Sequence, residues 1–161
     1  MVVMAVTEKN TTEPVRAILH HHAVLRRGLE QRVGALCAAG ERNSQYDQEL
    51  AALQGYLADE IMPHAEAEER TLYAAAVTQA RGSQLVHTLI AEHRELAGLV
   101  EQLRSGDQGA TVGAVAESIA TLFASHAAKE NEQLLPALTS SGVDLAALLA
   151  DMSKGLAGHQ H

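Results

Sequence analysis

Four histidines, His22, His64, His93 and His126, each fall in the middle of an apolar stripe of helical spacing, and two are followed four residues later by a glutamate. The resulting pairs, His64-x-x-x-Glu68 and His126-x-x-x-Glu130, place imidazole and carboxylate about one turn apart on the same face of a helix. By the pattern around them, those faces should be dry. Imidazoles and carboxylates buried together are costly unless something pairs with them, and a pair of metal ions does so.

The stripes define the elements that must position these groups. Val15, Ile18, Leu25, Leu29, Val33 and Leu36 flank His22; Val86, Leu89, Leu96, Val100 and Leu103 flank His93. Leu50, Leu53, Leu57 and Ile61 lead into His64, with Leu72 and Ala75 after Glu68. Val112, Val115, Ile119 and Leu122 lead into His126, with Leu134 and Ala137 after Glu130. Steps of three and four throughout are those of a bundle core. The first and third segments share aliphatic positions around their histidines, and the second and fourth share the order His, Glu, Leu, Ala. The chain therefore reads as two helical hairpins of one design, each donating two histidines and one carboxylate to a common axis.

Mixed nitrogen and oxygen ligands suit iron, manganese or zinc, whereas calcium and magnesium prefer oxygen alone. Two carboxylates for four imidazoles suit a dinuclear site. Each metal takes two histidines from one hairpin, Glu68 and Glu130 bridge, and about one position on each six-coordinate ion stays open. The competing reading is a hydrogen-bonded polar layer with no metal. A single His-x-x-x-Glu is weak, but two copies on apolar stripes, matched by two further histidines, favour metal.

Length and composition bound the rest. One domain is expected from 161 residues with 47% hydrophobic content, enough for a core. Few aromatics, with tryptophan absent, point to an all-α fold rather than a β-rich one. A net charge of −8 with scattered basic residues argues against a nucleic-acid partner. No stretch is long enough for a membrane span, and the apolar start lacks a basic leader, so a cytoplasmic protein is expected, monomeric or a weak homodimer. The lone Cys37 cannot form an internal disulfide and reads as a packing residue, about four turns from His22. The punctuation predicts an up-down-up-down four-helix bundle with a short C-terminal helix. Residues 1–11 are expected to be a disordered lead, 12–155 the bundle domain and 156–161 a flexible tail. Pro14 opens the first helix and Gly40 stops it. Asn43 and Ser44 cap the second, which runs to about Ala80 and is bent by Pro63. The third begins at Ser83 and ends at Ser105-Gly106-Asp107-Gln108-Gly109; the fourth spans about Ala110 to Thr139, and the short helix Val143 to Lys154.

The order of these motifs resembles the hemerythrin-like, or HHE cation-binding, domain. The matching pieces are His22-Ala-Val-Leu25, His64-Ala-Glu-Ala-Glu68-Glu69, Glu92-His93-Arg-Glu-Leu96 and His126-Ala-Ala-Lys-Glu130 followed by Leu134-Leu135-Pro136. Together they span about residues 14–140. The resemblance implies two iron ions in an oxo- or hydroxo-bridged di-iron centre, His22 and His64 serving one, His93 and His126 the other, with Glu68 and Glu130 bridging. Oxygen-carrying members of that family place two histidines one turn apart on the third helix, whereas here the positions four before and four after His93 are Leu89 and Ala97. The fourth-helix acid is also a Glu at +4 rather than an aspartate at +5. One imidazole is thus missing. Glu60, one turn before His64, is the best substitute, and Tyr56, about 80° off that stripe, is placed either near the site or in the core. His20, His21 and His87 point away and read as surface residues or as neighbours of the ligands. His159 and His161 sit in the tail. Glu66, Glu69 and Glu92 read as solvated, with one of them able to orient a ligand imidazole.

Three function classes follow. The first is a di-iron protein acting on a small diatomic or peroxide ligand: decomposing hydrogen peroxide, or handling nitric oxide or oxygen, in oxidative stress. The second is a non-catalytic module that binds or senses oxygen or iron. The third is a metal used only to hold the bundle. The missing imidazole and the absence of an output domain favour the first.

Overall fold

Apolar residues at steps of three and four, broken by Gly40, Asn43 and Gly82, divide the chain into long helices. The computed structural model describes residues 2–40, 43–79, 82–105 and 112–157, with side chains from residue 13 onward. Among the described residues there is no strand. Helix α1 spans Val2–Ala39. Helix α2, residues 44–76, is a continuous rod made of Ser44–Tyr56, a π turn Leu57–Ile61, then Met62–Glu68, a second π turn Glu69–Tyr73, and Ala74–Ala76. Helix α3 spans Gly82–Ser105. Helix α4, residues 112–140, joins Val112–Lys129 to Leu135–Ser140 through a third π turn, Glu130–Leu134. Helix α5 spans Leu145–Ala157.

The boundaries follow local chemistry. Gly40 terminates α1 with φ of 69°, a conformation that costs glycine nothing. The Asn43 side chain accepts the Tyr46 N–H at 2.9 Å, satisfying one open donor at the start of α2. Gly82 lies where any Cβ would run into the Ala76 carbonyl, so the close junction of α2 and α3 requires it. The backbone is helical from Val2. Met4, Ala5, Glu8 and Lys9 are good helix formers, and Pro14 lies inside the helix rather than opening it, at the cost of one backbone hydrogen bond and a crowded preceding carbonyl. Helix α2 ends a turn earlier than expected, at Ala76. Helix α5 runs three residues further than expected, to Ala157, into the segment read as a tail. The expected turn at 106–109 and the tail residues 158–161, with His159 and His161, lie outside the described residues.

Helix α1 packs on α2 and α4, and α3 on α4 and less extensively on α2; the end of α2 also meets the end of α4, while α5 packs across α1 and α2. The core falls into two apolar clusters. One contains Leu25, Leu29, Leu57, Ile61, Leu96, Ile119 and Phe123; the other contains Ile18, Leu72, Tyr73, Val86, Leu89, Leu134 and Leu138, and is closed by Leu145 of α5. In every long helix the histidine falls between residues of the two clusters. The polar groups therefore form one layer inside an otherwise apolar bundle.

Proline 63 does not simply bend α2. The π turn just before it bonds the Met62 N–H to the Leu57 carbonyl, a wider ring than the α pattern, and Pro136 follows the Glu130–Leu134 turn in the same way, with Leu135 N–H on the Glu130 carbonyl. A wider turn gives the proline ring room that the preceding carbonyls of a regular helix would deny it. Both His-x-x-x-Glu units lie against such turns, so the register of the ligands departs from regular helical arithmetic.

Candidate metal centre

His22, His64, Glu68, His93, His126 and Glu130 are all buried, the least so being His93 at 6% exposure. They are the whole of the fully buried charged or polar set among the described residues. Their ligand atoms gather into two groups, His22 with His64 and Glu68, and Glu68 with His93, His126 and Glu130, each within 4.8 Å of one another. Glu68 belongs to both. His22 Nε2 lies 3.2 Å from Glu68 Oε2 and 3.8 Å from Glu130 Oε1. His64 Nε2 lies 3.3 Å from Glu68 Oε2, His93 Nε2 3.7 Å from Glu68 Oε1, and His126 Nε2 3.5 Å from Glu130 Oε1.

Three of the four rings are held from behind. His22 Nδ1 donates to Asn131 Oδ1 at 2.7 Å, His93 Nδ1 to Glu69 Oε1 at 3.3 Å, and His126 Nδ1 to Glu92 Oε1 at 3.1 Å, with Lys129 on the other oxygen of Glu92. Donation from Nδ1 turns the Nε2 lone pair inward, the arrangement typical of metal-bound histidine. Glu69 and Glu92, read as solvated from sequence, thus both orient a ring; Glu66 is exposed. His64 is different. It is 2% exposed, and neither of its ring nitrogens has a hydrogen-bond partner. An orphaned imidazole in a dry layer is expensive, and a cation at Nε2 removes the cost.

The protonation chemistry points the same way. Burial pushes the Glu130 carboxyl up, and the Glu68 carboxylate beside it adds to the shift. Burial also works against ionised Glu68, but His64 nearby and hydrogen bonds from its histidine neighbours hold it well below the usual carboxylate range. Burial disfavours the charged His22 ring, yet Glu68, Glu130 and Asn131 outweigh it and raise the ring to about 9. His126 is raised likewise, Glu130 outweighing burial. Without a cation the carboxylates and imidazoles of the layer are held together by the protons they share, and four imidazoles with two carboxylates are a donor set for a borderline metal such as iron, manganese or zinc. The residues present fit such ions.

The residues proposed to fill the gap on the third helix are elsewhere. Glu60 is exposed, because Ile61 takes the inner position beside His64. The Tyr56 hydroxyl donates to the Leu25 carbonyl at 3.1 Å, and its ring lies 4.0 Å from the Arg32 guanidinium. His20 and His87 are exposed. His21 is half-buried with its ring 4.8 Å from that of His64, and burial together with the His64 and His22 rings pushes it down to about 4.

Tyr73 was missed by the sequence reading. It is 1% exposed, and its hydroxyl donates to Glu130 Oε2 at 2.8 Å while lying 3.1 Å from His126 Nε2 and 3.3 Å from His93 Nε2. On a regular helix it would be about 140° from Glu68, but the π turn Glu69–Tyr73 inserts a residue and returns it to the inner face. The shift in phase shows in the burial: Leu72 and Tyr73 are both buried, and Ala76 rather than Ala75 follows them.

A family model for the hemerythrin HHE cation-binding domain matches residues 13–138. The chain belongs to that family, a class of helical, cation-binding domains. Comparison with curated proteins and with solved structures returned no match. No helix among the described residues is long and apolar enough to cross a membrane.

Proposed function

We propose that this member of the hemerythrin family holds two iron ions and reacts with small oxidants, decomposing hydrogen peroxide in the first place and handling nitric oxide or oxygen in the second. The observation that carries this reading is the pair of buried ligand groups sharing Glu68. In this reading His22 and His64 would hold one ion and His93 and His126 the other, Glu68 and Glu130 would supply carboxylate oxygens to both, and the four long helices would alternate up and down around the pair. Two iron ions supply the electron-accepting and electron-donating couples that peroxide decomposition needs.

The chain's own contribution is positional. Asn131, Glu69 and Glu92 fix three imidazoles with Nε2 inward, which keeps the rings from turning when ligands exchange. The apolar clusters on either side exclude bulk water. Beside His22 a cleft of about 390 Å³, lined by Ala23, Ala127, Arg26 and Asn131 among others, is roomy for peroxide or a diatomic gas. His22 is among its lining residues.

The test is elemental analysis after anaerobic iron loading, followed by oxygen evolution from added peroxide. Two irons per chain and sustained oxygen release are expected. One zinc per chain with no iron uptake overturns the reading; reversible oxygen binding with indifference to peroxide makes the protein a non-catalytic store or sensor instead.

A further inference from the structure

Tyr73 places its hydroxyl oxygen where ligand atoms of α3 and α4 converge. Its hydroxyl proton goes to Glu130, leaving its oxygen lone pairs facing His93 Nε2 and His126 Nε2. Those Nε2 atoms point inward, because the Nδ1 positions bond Glu69 and Glu92. Four ligand-type atoms from three helices thus converge on one point.

The separations are also those of neighbouring ligands on one ion. Metal–ligand bonds of about 2.1 Å put donors at right angles about 3 Å apart and tetrahedral donors about 3.4 Å apart. The Tyr73 oxygen lies 2.8, 3.1 and 3.3 Å from its three partners. The ring is fixed there by packing: it belongs to an apolar cluster with Leu72, Leu89 and Leu134, and stacks on His93 with ring centroids 5.3 Å apart.

We propose that Tyr73 is a phenolate ligand of the ion held by His93 and His126, occupying the coordination position for which the third helix offers Leu89 and Ala97 instead of a second imidazole. Phenolate oxygen is a recognised donor to ferric iron. Ligation is a simple exchange without change of oxidation state: the O–H bond breaks, the oxygen–iron bond forms, and the proton leaves to solvent, as ligand protons do on metal binding. The ion that His22 and His64 would hold has no such group beside it among the described residues. The two ions are then chemically unequal.

The inference rests on the metal reading above, and the experiment separates the two. Protein loaded with ferric iron is examined for metal content, for a visible phenolate-to-iron charge-transfer band, and by resonance Raman for tyrosine ring modes excited in that band. The wild-type chain should show both signatures, and Tyr73→Phe should lose them while retaining iron. Should Tyr73→Phe fail to fold, the chain's tyrosine content decides: it has three, so a band that survives Tyr46→Phe combined with Tyr56→Phe belongs to Tyr73. An iron-filled wild-type chain with no visible phenolate band, or a band that persists in Tyr73→Phe, overturns this inference and leaves the proposed function standing. A chain that takes up no iron overturns both.

Discussion

Around His93 and His126 each ring Nδ1 meets a carboxylate, and a tyrosine hydroxyl stands between the two Nε2 atoms. Around His22 and His64 the partners are one amide, from Asn131, and nothing at all for His64. The two helical hairpins carry matching motifs, yet the groups behind the ligands come from different places. Glu69 and Glu92 reach across between α2, α3 and α4, whereas Asn131 reaches back to α1. A carboxylate behind an imidazole increases its electron donation more than an amide does. The two halves of the candidate site thus differ in how firmly their imidazoles are oriented toward a cation.

The largest test of this contrast removes the group common to both halves. Glu68→Ala should abolish uptake of both ions, while Glu130→Ala, whose carboxylate belongs to one ligand group, should leave the His22 and His64 half partly loaded. Equal losses, read by elemental analysis, would show that Glu130 is shared as fully as Glu68. Next comes the third helix. His93→Ala should lower metal content and peroxide turnover together, whereas exposed His87 can be changed to Ala with neither affected; parallel losses would mean that the inner face of α3 has been misassigned.

The supporting groups should give a smaller effect. Glu92→Gln is expected to weaken metal affinity by about 10–100-fold, and Asn131→Ala by less, as measured by competition with a chelator. The reverse order would break the proposed asymmetry. Smallest of all is Glu60→Ala. Because that side chain is exposed, the spectrum and peroxide rate should stay within error of the wild type, and a clear change in either would return Glu60 to the site.

Much of the site is legible without coordinates, because burial of a polar group on an apolar stripe is a local signal. His22, His64, His93, His126, Glu68 and Glu130 stand out by type and by steps of three and four, and all six are buried together. The tyrosines show where that arithmetic stops. Tyr56 and Tyr73 both lie on α2, and regular geometry puts neither in line with the ligands. Tyr56 stays with Leu25 and Arg32, but Tyr73 turns inward because the Glu69–Tyr73 segment winds with one residue more per turn. No pattern of hydrophobic residues announces a π turn in advance. It forms where the neighbouring helices reward the altered phase, here by seating Tyr73 among Leu72, Leu89 and Leu134.

The sequence by itself determined the helices, the dry faces and the six polar groups that interrupt them, since each depends on residues within a few turns of one another. Tertiary structure alone decided which carboxylate stands behind which ring, that His64 has no partner, and that Tyr73 rather than Glu60 or Tyr56 faces the ligands. Those outcomes depend on groups from different helices meeting within about 3 Å, the reach of a hydrogen bond. At that range a shift of one residue in helical phase is enough to exchange a surface side chain for one at the centre of the site.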